Sequence, residues 1–198
     1  NASDPPFLAR MNLNRDAKVA IARKAIEIIE DGSSIALDTG STSGFIALAL
    51  RTRKKLSVVT NSAFVASTLA IIPGNKVSMA GTQLRDHDGA AFDRSAFDVI
   101  ERMLVDYVVL SASMVDPKNG FLVHEQCEVD IASAMLKNAK CAIMAVDHSK
   151  FLPQDRRPAL RQPPLKANDI LISDRHPPEQ FNALLQGIDQ RIAEPQHR

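Results

Sequence analysis

Short apolar segments alternate with segments of helical periodicity along most of this chain, and this alternation limits the available folds more than any other feature. The predicted strands are 34–37, 56–60, 76–80, 107–110, 141–146 and 170–172. The predicted helices are 15–29, 43–50, 63–69, 95–103, 128–138 and 177–187. Strands that alternate with helices form βαβ units with right-handed crossovers. The sequence therefore predicts an α/β fold with a Rossmann-like open, mainly parallel sheet and helices on both faces.

The length of 198 residues fits one domain, which we place at residues 15–192. Residues 1–14 have no periodicity and are predicted to be an irregular linker remnant, and the opening Asn1, Ala2 and Ser3 resemble an expression-vector scar. The formal net charge of +1 disfavours a surface that binds polyanions such as DNA by charge alone.

The chemistry of the cysteines and histidines gives no sign of a metal or cofactor. Two cysteines are too few for a disulfide framework or a four-cysteine zinc site, and they suit a reducing, cytoplasmic location. His87, His124 and His148 lack metal-ligand spacing. No apolar run reaches the roughly 18 residues of a membrane span, so no membrane partner is expected.

Small polar residues follow nearly every predicted strand. These strand ends are 38–42, 60–62, 81–83, 111–113 and 147–150. In an open α/β sheet, ligands bind beyond the carboxyl ends of the strands. The convergence of polar residues at this edge predicts a binding site there.

The segment Asp38, Thr39, Gly40, Ser41 and Thr42 is the strongest candidate within that edge. Gly40 permits a close backbone approach, and the following helix start offers N–H groups and a dipole that favour phosphate. The alternative is that Ser41 or Thr42 merely caps its own helix. Asp38 would repel a phosphate, so hydrogen bonding to sugar hydroxyls suits it better. The spacing matches neither a P-loop nor a dinucleotide fingerprint.

Lys150 could pair with a phosphate at the same edge, although a solvated lysine is the alternative. Thr60, Asn61 and Ser62 could equally form an ordinary helix entry.

The order of these motifs resembles the effector-binding domain of DeoR-family transcriptional regulators over roughly residues 6–190. The resemblance begins with Pro6-Phe7 through Arg10, Lys18-Val19-Ala20-Ile21-Ala22 and Asp31-Gly32. It continues through Leu37-Asp38-Thr39-Gly40-Ser41-Thr42, Val58-Val59-Thr60-Asn61-Ser62, Gly81-Thr82-Gln83-Leu84-Arg85, a central segment with 106–116, Gly120 and Glu125, and Asp147-His148-Ser149-Lys150-Phe151. The resemblance implies the fold of ribose-5-phosphate isomerase and glucosamine-6-phosphate deaminase. It also implies a phosphorylated sugar effector and a winged helix-turn-helix domain ahead of this chain, through which alone DNA would be bound. A homodimer or homotetramer is expected, because paired DNA half-sites call for symmetry.

The resemblance also extends the set of ligand-binding residues. It implies that 38–42 and 60–62 line a pocket, with Gly81, Thr82 and Gln83 opposite and Lys150 reaching the ligand. Asp116, Gly120 and Glu125 would approach from a loop above. Two residues depart from the family pattern, since Thr82 and Met114 stand where glycine is frequent, and both would add bulk near the pocket.

An enzyme of the same fold is the alternative, because 40–46 is also similar to the phosphate loop of ribose-5-phosphate isomerase. Moving a proton between two sugar carbons needs a positioned carboxylate base. The paired carboxylates of that enzyme family are absent from 111–116. We therefore expect a regulator rather than an isomerase or deaminase, and assign no catalytic residue.

Overall fold

The computed structural model describes residues 5–196. Its α-helices are α1 (Phe7–Asn12), α2 (Arg15–Ile28), α3 (Ser41–Leu50), α4 (Ala63–Ala70), α5 (Arg94–Ile100) and α6 (Gln126–Lys137). Its strands are β1 (Ser34–Leu37), β2 (Ser57–Thr60), β3 (Lys76–Met79), β4 (Val105–Leu110), β5 (Met114–Asp116), β6 (Gly120–Val123), β7 (Ala139–Ala145), β8 (Leu160–Arg161), β9 (Ile170–Ser173) and β10 (Asp189–Ile192).

In this range, seven strands form one sheet in the order β10-β9-β7-β4-β1-β2-β3. Each pairing within it is parallel. The chain runs outward from β1 to β2 and β3, and then returns to β4 on the other side of β1. The predicted mainly parallel sheet is confirmed, and the space between β1 and β4 is its topological switch point.

Alternate residues of the central strands face two separate hydrophobic cores. Ile35 and Leu37 of β1 pack in one core with α2, α3 and α4, whereas Ala36 packs in the other with α5 and α6. Because successive side chains of a strand point to opposite faces, a strand buried on both faces reads as a continuous apolar run. The prediction of helices on both faces is confirmed.

The prediction that residues 1–14 are irregular is wrong for Phe7–Asn12, which is the helix α1. Phe7 is 6% exposed, and its ring centroid lies 5.2 Å from that of Phe64 on α4. Six residues are too few to show periodicity, and burial of the Phe7 ring stabilises this short helix instead. The vector-scar prediction for Asn1, Ala2 and Ser3 lies outside the described residues.

The sequence analysis did not predict a second, smaller sheet. Strands β5, β6 and β8 pair antiparallel in segments where no strand was predicted. Strands β5 and β8 have only three and two residues, and Pro117, Asn119 and the prolines of 153–164 give these segments the character of turns and loops.

The predicted helix 177–187 is also wrong, since the structure has only a short 3₁₀ helix at Glu179–Phe181, followed by turns. Phe181 and Leu185 are both buried at a spacing of four, which mimics a helix. The edge strand β10 follows and was missed. Within residues 5–196, no helix combines the length and apolarity that crossing a bilayer requires.

Candidate functional site

A cleft opens beyond the carboxyl ends of β1 and β4, at the switch point of the sheet. Seven of the predicted ligand-binding residues line it: Asp38, Thr39, Gly40, Ser41, Thr42, Asn61 and Lys150. Polar residues that the sequence analysis did not select also line it: Arg10, Ser111, Ser113, Glu128 and Gln162. Phe92, Val123, Ile131 and Ala132 contribute apolar surface.

The carboxylate of Asp38 connects the loop after β1 to the loop after β4 through hydrogen bonds. Its Oδ2 accepts hydrogen bonds from the backbone N–H of Ser111 at 2.6 Å and from Ser111 Oγ at 2.8 Å. Its Oδ1 accepts from the N–H of Gly40 at 3.1 Å and from Ser43 Oγ. Four donors thus occupy the carboxylate, so Asp38 shapes the cleft rather than offering free acceptors to sugar hydroxyls, as the sequence had suggested.

Gly40 lets the two loops approach each other closely. A Cβ atom at this position would lie 2.0 Å from Ser111 Oγ and 2.9 Å from Ser111 Cβ. The backbone of Gly40 is extended, with φ −69° and ψ 157°, so the need for glycine here comes from space rather than from backbone conformation.

Gly40 is also the N-cap residue of α3, and it has no side chain to cap the helix. The alternative in which Ser41 or Thr42 caps α3 is therefore wrong, since among the described residues no side chain accepts a cap hydrogen bond there. Ser41 and Thr42 are buried at the cleft wall. The first N–H groups of α3 are directed toward the cleft end of the helix, where an anion is favoured.

Three cationic side chains lie close together beside this helix start. Arg10 and Lys150 line the cleft, and Lys18 lies behind them with only 3% of its surface exposed. Burial lowers the pKa of Lys18 to about 8, Asp147 counteracts this, and the nearby charges of Lys150 and Arg10 lower it further. The mutual repulsion of these cations makes this end of the cleft receptive to an anion.

Hydrogen-bonding groups of a different kind line the rest of the cleft. Glu128 lies in the first turn of α6, where a carboxylate oxygen accepts from the N–H of Glu125 at 3.1 Å. Gln162 donates through Nε2 to the carbonyl of Ser111 at 2.7 Å, so its amide is held in place. A cleft that combines cations with carboxylate, amide and hydroxyl groups can bind a phosphate and a polyhydroxyl body together.

Of the predicted triplet 60–62, only Asn61 lines the cleft. Asn61 is fully buried, and its Nδ2 donates to the carbonyl of Ala91 at 2.9 Å. Thr60 Oγ1 donates to the carbonyl of Leu37, and Ser62 Oγ accepts from the N–H of Val65 and so caps α4. Thr60 and Ser62 thus support the sheet edge and the helix entry.

The structure does not bring Gly81, Thr82 and Gln83 into the cleft. Gly81 has a φ of +98°, which favours glycine, and both the N–H and the hydroxyl of Thr82 donate to Asp93. Gln83 is exposed. Because Thr82 points to Asp93, its side chain adds no bulk to the cleft.

Asp116, Gly120 and Glu125 also lie outside the cleft wall. The N–H groups of Asn119 and Lys118 donate to Asp116 within the β5–β6 turn and hold its pKa below the usual range. Gly120 supplies the positive φ of +85° at this turn. Met114, the second departure from the family pattern, is 8% exposed within β5 and does not line the cleft either.

Glu125 belongs to an ionic cluster that joins the 84–92 loop to α6. Arg85 Nη1 donates to Glu125 Oε2 at 2.7 Å, and Arg85 also pairs with Asp88 through two hydrogen bonds. The guanidinium lies 4.5 Å from the ring centroid of Phe92. This cluster positions Phe92, which forms part of the cleft wall.

Neither cysteine has the character of a reactive thiol. Burial and the nearby Glu125 raise the pKa of Cys127 to about 11, and burial raises that of Cys141. Across the described part of the chain, nowhere do three or more His, Cys, Asp or Glu side chains cluster closely enough to hold a metal ion.

Comparison with known proteins agrees with the resemblance. The sequence matches the family "DeoR C terminal sensor domain" over residues 13–175. It is 31% identical over 173 residues to the glycerol-3-phosphate regulon repressor of Escherichia coli, covering 87% of this chain and 68% of that protein. It is 27% identical over 181 residues to the E. coli repressor CsqR, covering 91% of this chain and 68% of that protein. This chain belongs to the DeoR C terminal sensor domain family.

Solved structures share the fold. A D-ribose-5-phosphate isomerase in complex with phospho-erythronic acid has a TM-score of 0.51 and 19% identity, over 71% of this chain and 55% of that one. The eIF2B beta subunit of Chaetomium thermophilum has a TM-score of 0.52 and 20% identity, over 71% of this chain and 44% of that one. This chain thus spans about half the length of those proteins, and the likeness is one of fold. These relatives by sequence, and the repressor AccR of Agrobacterium fabrum, are regulators of transcription, as expected for a regulator rather than an enzyme.

Proposed function

We propose that this domain senses a phosphorylated sugar or polyol in the cytoplasm and that its occupancy controls DNA binding by a repressor. The observation that carries the proposal is the convergence of the α3 N-terminus with Arg10 and Lys150 in one cleft. Backbone N–H groups and fixed cations are the groups that bind phosphate in proteins. Names of relatives, such as the glycerol-3-phosphate regulon repressor, support the same ligand class.

The phosphate would lie at the N–H groups of residues 41–43 and within reach of Lys150. The body of the effector would extend toward Ser113, Glu128 and Gln162, whose oxygens and amide suit hydroxyl groups. The apolar wall that Phe92 and Ile131 provide would cover its carbon face. In this arrangement, Asp38 contributes by holding the two strand-end loops together.

DNA binding is proposed for a winged helix-turn-helix domain that precedes this one in the full-length protein, and a homodimer or homotetramer is proposed to match paired operator half-sites. An effector can shift operator affinity only through unequal affinity for two states of the protein.

A thermal-shift panel tests the ligand class. Glycerol, pentose, hexose and amino-sugar phosphates are each paired with the unphosphorylated compound. We expect one phosphate ester to raise the melting temperature while its unphosphorylated partner does not, because ligand binding to the folded state alone stabilises it. Stabilisation by none of the esters would contradict the proposal, and turnover of a stabilising ester would favour the isomerase alternative.

Variants of the cleft then test the site. Lys150→Ala removes a cation, and Ser41→Ala removes a hydroxyl at the start of α3. Lys140→Ala is the matched control, because Lys140 is 83% exposed and pairs with Asp106 away from the cleft. We expect weaker ester binding for the two cleft variants and unchanged binding for Lys140→Ala. Full affinity in both cleft variants would refute the assignment.

A further inference from the structure

The first described helix, α1, forms part of the cleft wall although it precedes the segment that matches the sensor family. Arg10 of α1 lines the cleft together with Lys150. The family match begins at residue 13, so this contribution lies outside it. A cleft residue on this helix means that a ligand could touch the domain and the chain segment ahead of it at the same time.

The charges around Arg10 favour such a contact. The charges of Arg10, Lys150 and Asp147 all act on Lys18, and Arg10 and Lys150 line the same cleft. Glu128 also lines the cleft. A phosphate dianion placed between Arg10 and Lys150 would offset their repulsion, and a guanidinium can hold two phosphate oxygens at once.

Hydrogen bonds join α1 and the residues directly after it to neighbouring elements of the domain. Lys18 Nζ donates to the carbonyl of Arg10 at 2.6 Å, and the N–H of Phe7 donates to the carbonyl of His87 at 3.1 Å. Asn14, directly after α1, donates through Nδ2 to Ser149 Oγ at 3.3 Å, next to Lys150.

Packing of α1 rests mainly on Phe7. Its ring lies against Phe64 and so close to Gly44 of α3 that a Cβ there would lie 3.1 Å from Phe7 Cζ. A six-residue helix with one buried ring, beside which only Met11 packs partly against the core, is an element of low local stability. Its position can therefore respond to a ligand of modest affinity.

We infer that Arg10 is a direct phosphate contact, so that effector binding and the docking of α1 onto the cleft are one coupled equilibrium. This inference rests on the proposed function, and it adds that α1 is the element through which effector binding is transmitted to the rest of the protein. By linkage, the factor by which docked α1 raises ligand affinity equals the factor by which ligand favours the docked helix.

Two variants distinguish the contact between Arg10 and phosphate from the docking of α1 onto the domain. Arg10→Gln keeps the helix but removes the guanidinium charge, and Phe7→Ala keeps Arg10 but removes the ring that holds α1 in place. Arg15→Gln is the matched control, because Arg15 is exposed and lies over the Phe45 ring at 5.3 Å, outside the cleft wall. It changes the net charge by the same amount as Arg10→Gln.

The experiment measures affinity by calorimetry and amide hydrogen exchange of residues 7–12, with two probes at constant ionic strength. The probes are inorganic phosphate and the ester that stabilises the protein most in the panel. We expect Arg10→Gln to weaken ester binding by roughly 10–100-fold, as for loss of a charge-assisted contact. Phe7→Ala should weaken it as well, and Arg15→Gln should stay within about twofold of the original affinity. Ligand should slow exchange in α1 of the unmodified chain, and not in Arg10→Gln.

The results distinguish failure of the inference about Arg10 from failure of the proposed function. Equal ester affinity in Arg10→Gln and the unmodified chain would overturn the inference and leave the proposed function intact. Unchanged α1 exchange on saturation would also overturn it. Failure of the unmodified chain to bind any ester or phosphate would instead refute the proposed function, and the inference would fall with it.

Discussion

Two loops of this domain were expected to bind the ligand, and the structure uses them differently. The segment 38–42, which leads from the central parallel strand β1 into α3, lines the cleft at the switch point. The segment 116–125 belongs to the antiparallel β5–β6 hairpin and the start of α6. In this segment, Asp116 accepts a hydrogen bond from the N–H of Asn119 within the hairpin turn, and Glu125 accepts one from Arg85.

The difference shows that the position of a strand end in the sheet topology, more than its polarity, decides whether it lines a binding cleft. Both segments are rich in small or acidic residues, and the resemblance assigned both to the pocket. Of the two segments, only the one after β1 lies at the switch point, where the chain continues to β2 on one side of β1 and to β4 on the other. A crevice opens between connections that run to opposite sides of a strand. An Asp in a tight hairpin instead accepts hydrogen bonds from nearby backbone N–H groups, as Asp116 does.

Asp38→Ala should have the largest effect on both stability and ester binding. It removes the acceptor of four hydrogen bonds between the loops after β1 and β4. We expect a loss of about 2–4 kcal/mol of unfolding free energy, because donors to a charged group are left unsatisfied, together with a loss of ester binding. Urea unfolding measures the first effect. Asp38→Asn, which keeps the shape, should fall between Asp38→Ala and the unmodified protein, and a loss equal to or above that of Asp38→Ala would contradict this reasoning.

Gly40→Ala should have the next largest effect. The added methyl group would meet Ser111 Oγ at 2.0 Å, so the two loops must separate. Overpacking of this kind costs about 1–3 kcal/mol, and the displaced N–H groups of α3 should bind ester more weakly. The double variant Gly40→Ala/Ser111→Gly should regain part of the stability. If it regains none, steric contact with Ser111 is not the cause.

The charge of Lys18 predicts a dependence of stability on pH. Its pKa of about 8 in the folded protein is below the ordinary value of 10.5, so between these values the unfolded chain holds a proton that the folded chain has released. Stability should therefore rise with pH over this interval, by about 1 kcal/mol per pH unit relative to Lys18→Met. Denaturant unfolding at pH 7.5, 8.5 and 9.5 compares the two proteins, and parallel pH profiles would be inconsistent with a depressed pKa.

Asp116→Ala should have the smallest effect of the series. It removes acceptors for two exposed or half-buried N–H groups of the hairpin turn, at an expected cost of about 0.5–1 kcal/mol. Ester affinity should not change, since Asp116 does not line the cleft. A tenfold loss of affinity would show that the hairpin closes over the ligand, as the family resemblance implied.

The sequence predicted the parallel sheet and the loop after β1 because both depend on local patterns. Continuous apolar runs such as Val108–Val109 mark strands buried on two faces, and the Asp-Thr-Gly-Ser-Thr segment follows one of them directly. The strand-end pattern also included Ser111 and Ser113, although neither was chosen as a ligand-binding residue.

Other cleft residues could not be predicted because their position depends on tertiary packing. Arg10 comes to the cleft through burial of the Phe7 ring, which no spacing in the sequence reveals. Glu128 resembles an ordinary acidic residue in a first helical turn, and it is one, but α6 directs that turn toward the cleft. Gln162 lies in a proline-rich segment without periodicity that pairs as part of the small sheet beside the cleft.

Whether phosphate binds at the start of α3 can be seen in an amide NMR titration of the isotope-labelled domain with its stabilising phosphate ester. We expect the largest shift changes at residues 40–43, with smaller ones at Lys150 and Arg10. Little change is expected at a second groove of the surface, lined by Lys118, Phe121 and Leu184. Shifts centred on that groove, with 40–43 unmoved, would show that the ester binds away from the cleft.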